Sequence, residues 1–133
     1  MTEAFKDSQT IDLAKQPRQA ELLLLGANTL IGEKVHNIEG DYLGDIKEIV
    51  LEMQSGKVAY AVLSFGGVLG MGRKLFAVPW NALTPDTLNK SLVLDVAKER
   101  FKDAPGFDSD KWPNMADRTW SDGIHNYYGQ SNR

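Results

Sequence analysis

The chain has 133 residues, a formal charge of -3, 42% hydrophobic and 25% charged residues, and no cysteine. That length suits one domain with a modest core. The missing thiols exclude disulfides, thiolate metal sites and a cysteine nucleophile, and fifteen scattered basic residues under a net negative charge argue against nucleic-acid binding.

Residues 1–21 are polar and lack sustained periodicity, the composition of a flexible leader that orders only against a partner. No apolar stretch of signal-peptide length opens the chain. The Leu22–Leu25 run is far below the roughly 20 residues that cross a bilayer, so a cytoplasmic protein without membrane insertion is expected. The main domain is expected over 22–103. A first strand is predicted from Leu30 to Ile38, a turn at Glu39-Gly40-Asp41, and a longer strand from Leu43 to Met53. The apolar pattern of that strand slips by one residue near Glu48, where a β-bulge would return Ile49, Leu51 and Met53 to the inward face.

Gln54-Ser55-Gly56-Lys57 reads as a hairpin loop into Val58–Trp80, the stretch on which the rest is organised. Its first strand carries Val58, Tyr60 and Val62 on one side and Ala59, Ala61, Leu63 and Phe65 on the other. With both sides apolar, it needs a core on one face and a second cover on the other. The second strand alternates Leu75 and Ala77 with Phe76, Val78 and Trp80, and Pro79 belongs at a strand end or edge. Asn81-Ala82-Leu83 is one helical turn or a brief strand, Asn89-Lys90 a turn, and Leu92, Leu94 and Val96 a last strand. Five or six short strands with tight connections predict a mainly β fold, a small, strongly bent antiparallel barrel. KERFK is a short helical turn stopped by Pro105 and Gly106. In the extension over 104–133, Ala116, Trp120, Ile124, Tyr127 and Tyr128 form one helical stripe that covers the barrel or a second subunit.

Leu30-Ile31-Gly32 with Val35, Glu39-Gly40, Leu43-Gly44-Asp45-Ile46, Val58 to Phe65, and Val68-Leu69-Gly70-Met71-Gly72 with Phe76-Ala77-Val78-Pro79-Trp80 together resemble the PRC-barrel domain over about residues 30–96. The APGF segment at 104–107, Trp112 and Tyr127-Tyr128-Gly129 further resemble bacterial stand-alone members with a helical extension. The resemblance implies a bent antiparallel barrel that binds protein surfaces, as in the photosynthetic reaction-centre H subunit and a ribosome-maturation factor. The membrane span of the one and the amino-terminal domain of the other have no counterpart here, so neither role carries over.

The loop Gly66–Gly72 has glycine spacing like a P-loop, but Arg73-Lys74 stands where Lys-Ser/Thr is required and a strand follows. Its glycines suit a sharp turn, with Val68, Leu69 and Met71 tucked beneath it or exposed as an adhesive knob. His36 and His125 lack metal-ligand spacing, and Asp41, Asp45 and Glu48 do not match an EF-hand loop. No G-x-S-x-G elbow surrounds Ser64 or any other serine. Trp80 is expected in the core, and Trp112 and Trp120 at a cover or interface. No enzyme activity, cofactor or metal is expected. The reading is a binding or assembly module that self-associates or docks a protein partner through Val68, Leu69, Met71, Trp112, Trp120 and Tyr127. The alternative is a sensor barrel holding a small molecule between the barrel and the Trp112–Tyr128 segment.

Overall fold

The computed structural model describes residues 24–66 and 73–130. In chain order the elements are α1 (Ala27–Leu30), β1 (Lys34–His36), β2 (Tyr42–Glu52), β3 (Lys57–Phe65), β4 (Lys74–Pro79), a 3-10 turn (Trp80–Ala82), β5 (Leu83–Asp86), β6 (Ser91–Leu94), α2 (Lys98–Lys102) and α3 (Arg118–Tyr127). The six strands form one sheet in the order β4-β3-β2-β1-β6-β5. Two expectations are corrected here. The described sheet is open, since β4 and β5 do not pair, and it is mixed, since β1 and β6 run parallel through His36 and Val93. The chain reaches β6 only after β4, the 3-10 turn and β5, so β6 returns alongside β1 in the same direction.

The predicted first strand is shorter than Leu30–Ile38. Residues 27–30 are helical, and Gly32 turns the chain at φ 92° while donating its N–H to the Ile46 carbonyl at 2.7 Å. Pairing with β2 therefore starts at Lys34. Beyond His36, buried Asn37 closes the turn: its Oδ1 accepts the Asp41 N–H at 2.8 Å and its Nδ2 donates to Asp41 and to the Val96 carbonyl.

β2 and β3 are antiparallel, and their register shifts between Ile46 and Glu48, where the pattern slips. A second shift lies between Val50 and Leu51, where the apolar pattern shows no slip. Past it the hairpin runs outward, so Leu51 is 50% and Met53 84% exposed rather than inward-facing. The β3–β4 ladder pairs Leu63 with Phe76 and Ala61 with Val78. These four join Val35, Leu43, Ile46, Leu94 and the fully buried Phe101 of α2 in the main core. On the other face Tyr60 and Ala77 pack with Ile124 of α3, the second cover that β3 requires.

β4 lies at a sheet edge, and Phe107 seals part of it: Leu75 N–H donates to Phe107 O at 2.9 Å and Phe107 N–H to Leu75 O at 2.8 Å. β5, the other edge, carries Pro85, which lacks a donor.

Gly44 holds the close approach of β2 to β3. Its φ is +129°, and a Cβ there would stand 2.8 Å from the Ser64 carbonyl oxygen. Gly44→Ala is expected to destabilise the fold by about 1–3 kcal/mol, read as a lower urea midpoint with an unchanged slope.

Candidate functional site

Two openings flank Trp80. The first is an apolar groove of about 550 Å³, with Leu24 and Leu25 at its lip, Ile49 and Val58 on the β2–β3 side, and buried Leu30 and Leu92 opposite the solvent. Leu24 is 91% exposed. Among the described residues Asp86 is its single charged lining residue, and Asn89 engages both carboxylate oxygens, through its backbone N–H at 3.2 Å and its side-chain amide at 2.8 Å. The described walls are mainly aliphatic and aromatic, with Thr84, Thr87 and Ser91 among them, so an occupant gains chiefly by burying apolar surface.

The second opening is a more polar cleft of about 680 Å³ between the β2–β3 hairpin and the tail, where Lys57, Asn81, Ser121 and His125 meet the other side of Trp80. His125 Nδ1 lies 2.8 Å from the Ser121 carbonyl. A carbonyl only accepts, so Nδ1 carries the proton and, in the neutral ring, Nε2 is left as an acceptor. Tyr60 OH and Ser121 Oγ share a buried hydrogen bond at 3.0 Å, and the Trp120 and His125 rings meet Tyr60 edge-on at 5.4 and 5.5 Å. At the rim Glu52 accepts backbone N–H groups from Ser55 and Gln54. Hydrogen bonding from Ser55, its side chain foremost, holds the Glu52 carboxyl below its ordinary value.

The sequence candidates do not gather in one place. Val68, Leu69 and Met71, with most of the P-loop-like run, lie outside the described residues. At the near end of that loop, Arg73 donates to Ser64 Oγ at 2.8 Å, to Ser64 O at 2.7 Å and to Tyr42 OH at 2.9 Å, and it stands 3.6 Å from the Asp45 carboxylate. Trp112 is 41% exposed, with its ring 5.1 Å from Phe107 and its indole N–H on the Ser109 carbonyl. Trp120 is half-buried against Tyr60. Tyr127 lies under Arg100 at 4.1 Å and donates to the Arg100 carbonyl, while Arg100 donates to the Tyr127 carbonyl, both at 2.5 Å. Trp80, expected in the core, is half-buried and lines both openings.

The predicted tail stripe loses Ala116. The chain turns at Asn114, whose side chain accepts the Ala116 N–H at 3.0 Å, and α3 starts only after Asp117, which caps Thr119 N–H at 2.9 Å. Buried Ser121 takes a place on the packed face instead. The sequence signal for this groove is slight, the adjacent Leu24 and Leu25, because its other walls come from residues distant along the chain.

A family model for the PRC-barrel domain matches residues 24–101. The chain belongs to the PRC-barrel domain family. The resemblance drawn from the sequence is therefore shown, and the match ends before α3. No curated protein matches the chain. Among the described residues no helix is long and apolar enough to cross a membrane, and no cluster of three or more His, Cys, Asp or Glu side chains could hold a metal ion.

The hydroxyl of Tyr128 is buried without a hydrogen-bond partner among the described residues, and burial pushes the phenol above its ordinary value of 10.0. The neutral form is favoured in the folded state, so above about pH 10 the unfolded chain releases this proton first and stability falls as pH rises. Tyr128→Phe is expected to leave thermal stability at pH 7 unchanged or raised, and to lessen its loss between about pH 10 and 11.

Proposed function

We propose that this PRC-barrel protein is a non-catalytic interaction module that uses the apolar groove as its contact surface. The observation behind this reading is a groove of about 550 Å³ whose single charged side chain among the described residues is already engaged by Asn89. Such walls offer nothing to a charged substrate and supply no convergent acid, base or nucleophile. They suit aliphatic or aromatic anchors from a protein partner or a second copy, with the exposed edge of β5 alongside. Trp80 at the rim contributes a large, rigid contact area.

A small-molecule sensor is the second reading. It is favoured by the cleft between sheet and tail, where Lys57, Asn81 and the Nε2 acceptor of His125 converge beside Trp80. Its ligand would be a polar molecule with one face for stacking.

Affinity capture from the source cell's soluble extract, run beside measurement of the chain's own mass in solution, separates these readings. The full chain is expected to retain a protein or to self-associate, and Leu24→Asp, a change at a 91% exposed position, is expected to abolish the association without lowering the melting temperature. Association that is indifferent to Leu24→Asp would remove the groove from the reading. For the sensor, a polar metabolite at a hundredfold excess over its Kd would stabilise the chain by about 2.7 kcal/mol. His125→Ala should remove that thermal shift, and a shift that survives the change would rule out the cleft.

A further inference from the structure

We propose that a further opening, between α2 and the end of α3, is a binding site for a free α-amino acid with a hydrogen-bonding side chain. It measures about 560 Å³, a volume suited to a small ligand. It shares no lining residue with the groove or with the Trp80 cleft.

Among the described residues its walls carry one charge of each sign, Asp95 just past β6 and Arg100 in α2. These two line the same cavity yet form no ion pair with each other, and Asp95 has no partner among the described residues. The Arg100 guanidinium is held in place, 4.1 Å from the Tyr127 ring centroid and donating through one Nη to the Tyr127 carbonyl at 2.5 Å. Its other N–H groups have no acceptor among the described residues, and they keep the planar fork that matches a carboxylate. A side chain already ordered by the fold loses little freedom on binding. An anion alone is attracted by Arg100 and repelled by Asp95, and a cation alone meets the reverse. A ligand that carries an ammonium beside a carboxylate satisfies both.

The end of α3 supplies the remaining polar groups. Gly129, at φ 72°, turns the chain, with its N–H on the Asn126 carbonyl at 3.1 Å and the Gln130 N–H on the His125 carbonyl at 2.7 Å. Asn126 and Gln130 both line the cavity, and neither side-chain amide has a partner among the described residues. Each offers donors and an acceptor together, which is what an amide or hydroxyl side chain on the ligand requires. A ligand held by α2 and α3 at once binds the folded state alone and stabilises it.

The test titrates the full chain with L-glutamine and L-serine and follows amide spectra of the ¹⁵N-labelled protein beside its melting temperature. Saturable shifts are expected at Val96, Ala97, Arg100, Asn126 and Gln130, with a raised melting temperature. N-acetyl-L-glutamine, which lacks the ammonium, and L-glutaminamide, which lacks the carboxylate, are each expected to bind at least about tenfold more weakly than L-glutamine. Asp95 is exposed, so Asp95→Asn is expected to keep the melting temperature of the free protein while removing the preference for L-glutamine over its N-acetyl derivative. No saturable shift with either amino acid up to about 10 mM overturns the inference. So do shifts centred on Trp80 and His125, which would put the ligand in the other cleft, equal binding of either blocked derivative, or a preference that survives Asp95→Asn.

Discussion

β3 has no polar face, and the architecture follows from covering it twice. Tyr60, Ala61, Val62 and Leu63 are successive buried residues whose side chains leave the strand in opposite directions. Ala61 and Leu63 enter the main core with Phe76, Val78 and Phe101, and Tyr60 meets Ile124 of α3. Each large side chain fully buried stabilises by about 1.5–3 kcal/mol, so leaving the second face in water would forfeit much of a small domain's margin. A tyrosine hydroxyl on that face must also be paired once covered. Tyr60 OH finds Ser121 Oγ, which sets how α3 sits on the sheet.

That constraint makes the tail part of the folding unit in energetic terms, although the family match stops at residue 101. α2 supplies Phe101 to one side of the β3–β4 pair and α3 supplies Ile124 to the other. The reciprocal contact between Arg100 and Tyr127 ties the end of α3 back to α2. Phe107 lies between them on the β4 edge, where Gly106 passes too close to the Leu75 carbonyl for any side chain. Away from the tail, an apolar groove opens where α1, Trp80 and β5 meet. Trp80 belongs to both openings, so an occupant of one touches the residue that walls the other.

Much of this organisation was legible because it depends on local pattern. The phase slip near Glu48 marked a bulge that the Ile46–Glu48 register shift bears out. Apolar residues on both sides of β3 called for two covers, and glycines and prolines marked the turns. Pro79 ends β4, as a residue without a donor should. What failed depended on contacts remote in sequence. Leu30-Ile31-Gly32 looks like strand, yet Leu30 ends a helical turn closed by the Ile31 N–H on the Ala27 carbonyl, and Gly32, at positive φ, turns the chain onto Ile46 of β2. Leu51 and Met53 fit an inward face by alternation, but a second register shift carries them outward. Ser121 carries no apolar signal, and its burial exists only because Tyr60 is opposite.

By itself the sequence determined that five or six short strands are present and where most of them lie, the need for a cover over β3, and membership of the PRC-barrel family, since these follow from side-chain periodicity, turn residues and their spacing along the chain. Tertiary structure alone decided the parallel pairing of β1 with β6, the open edges, and the union of Leu24, Ile49, Trp80 and Leu92 around one groove. The physical reason is that strand direction and surface concavity are set by the path of the chain between elements. Residues nearly 70 positions apart share a wall only after that path has closed.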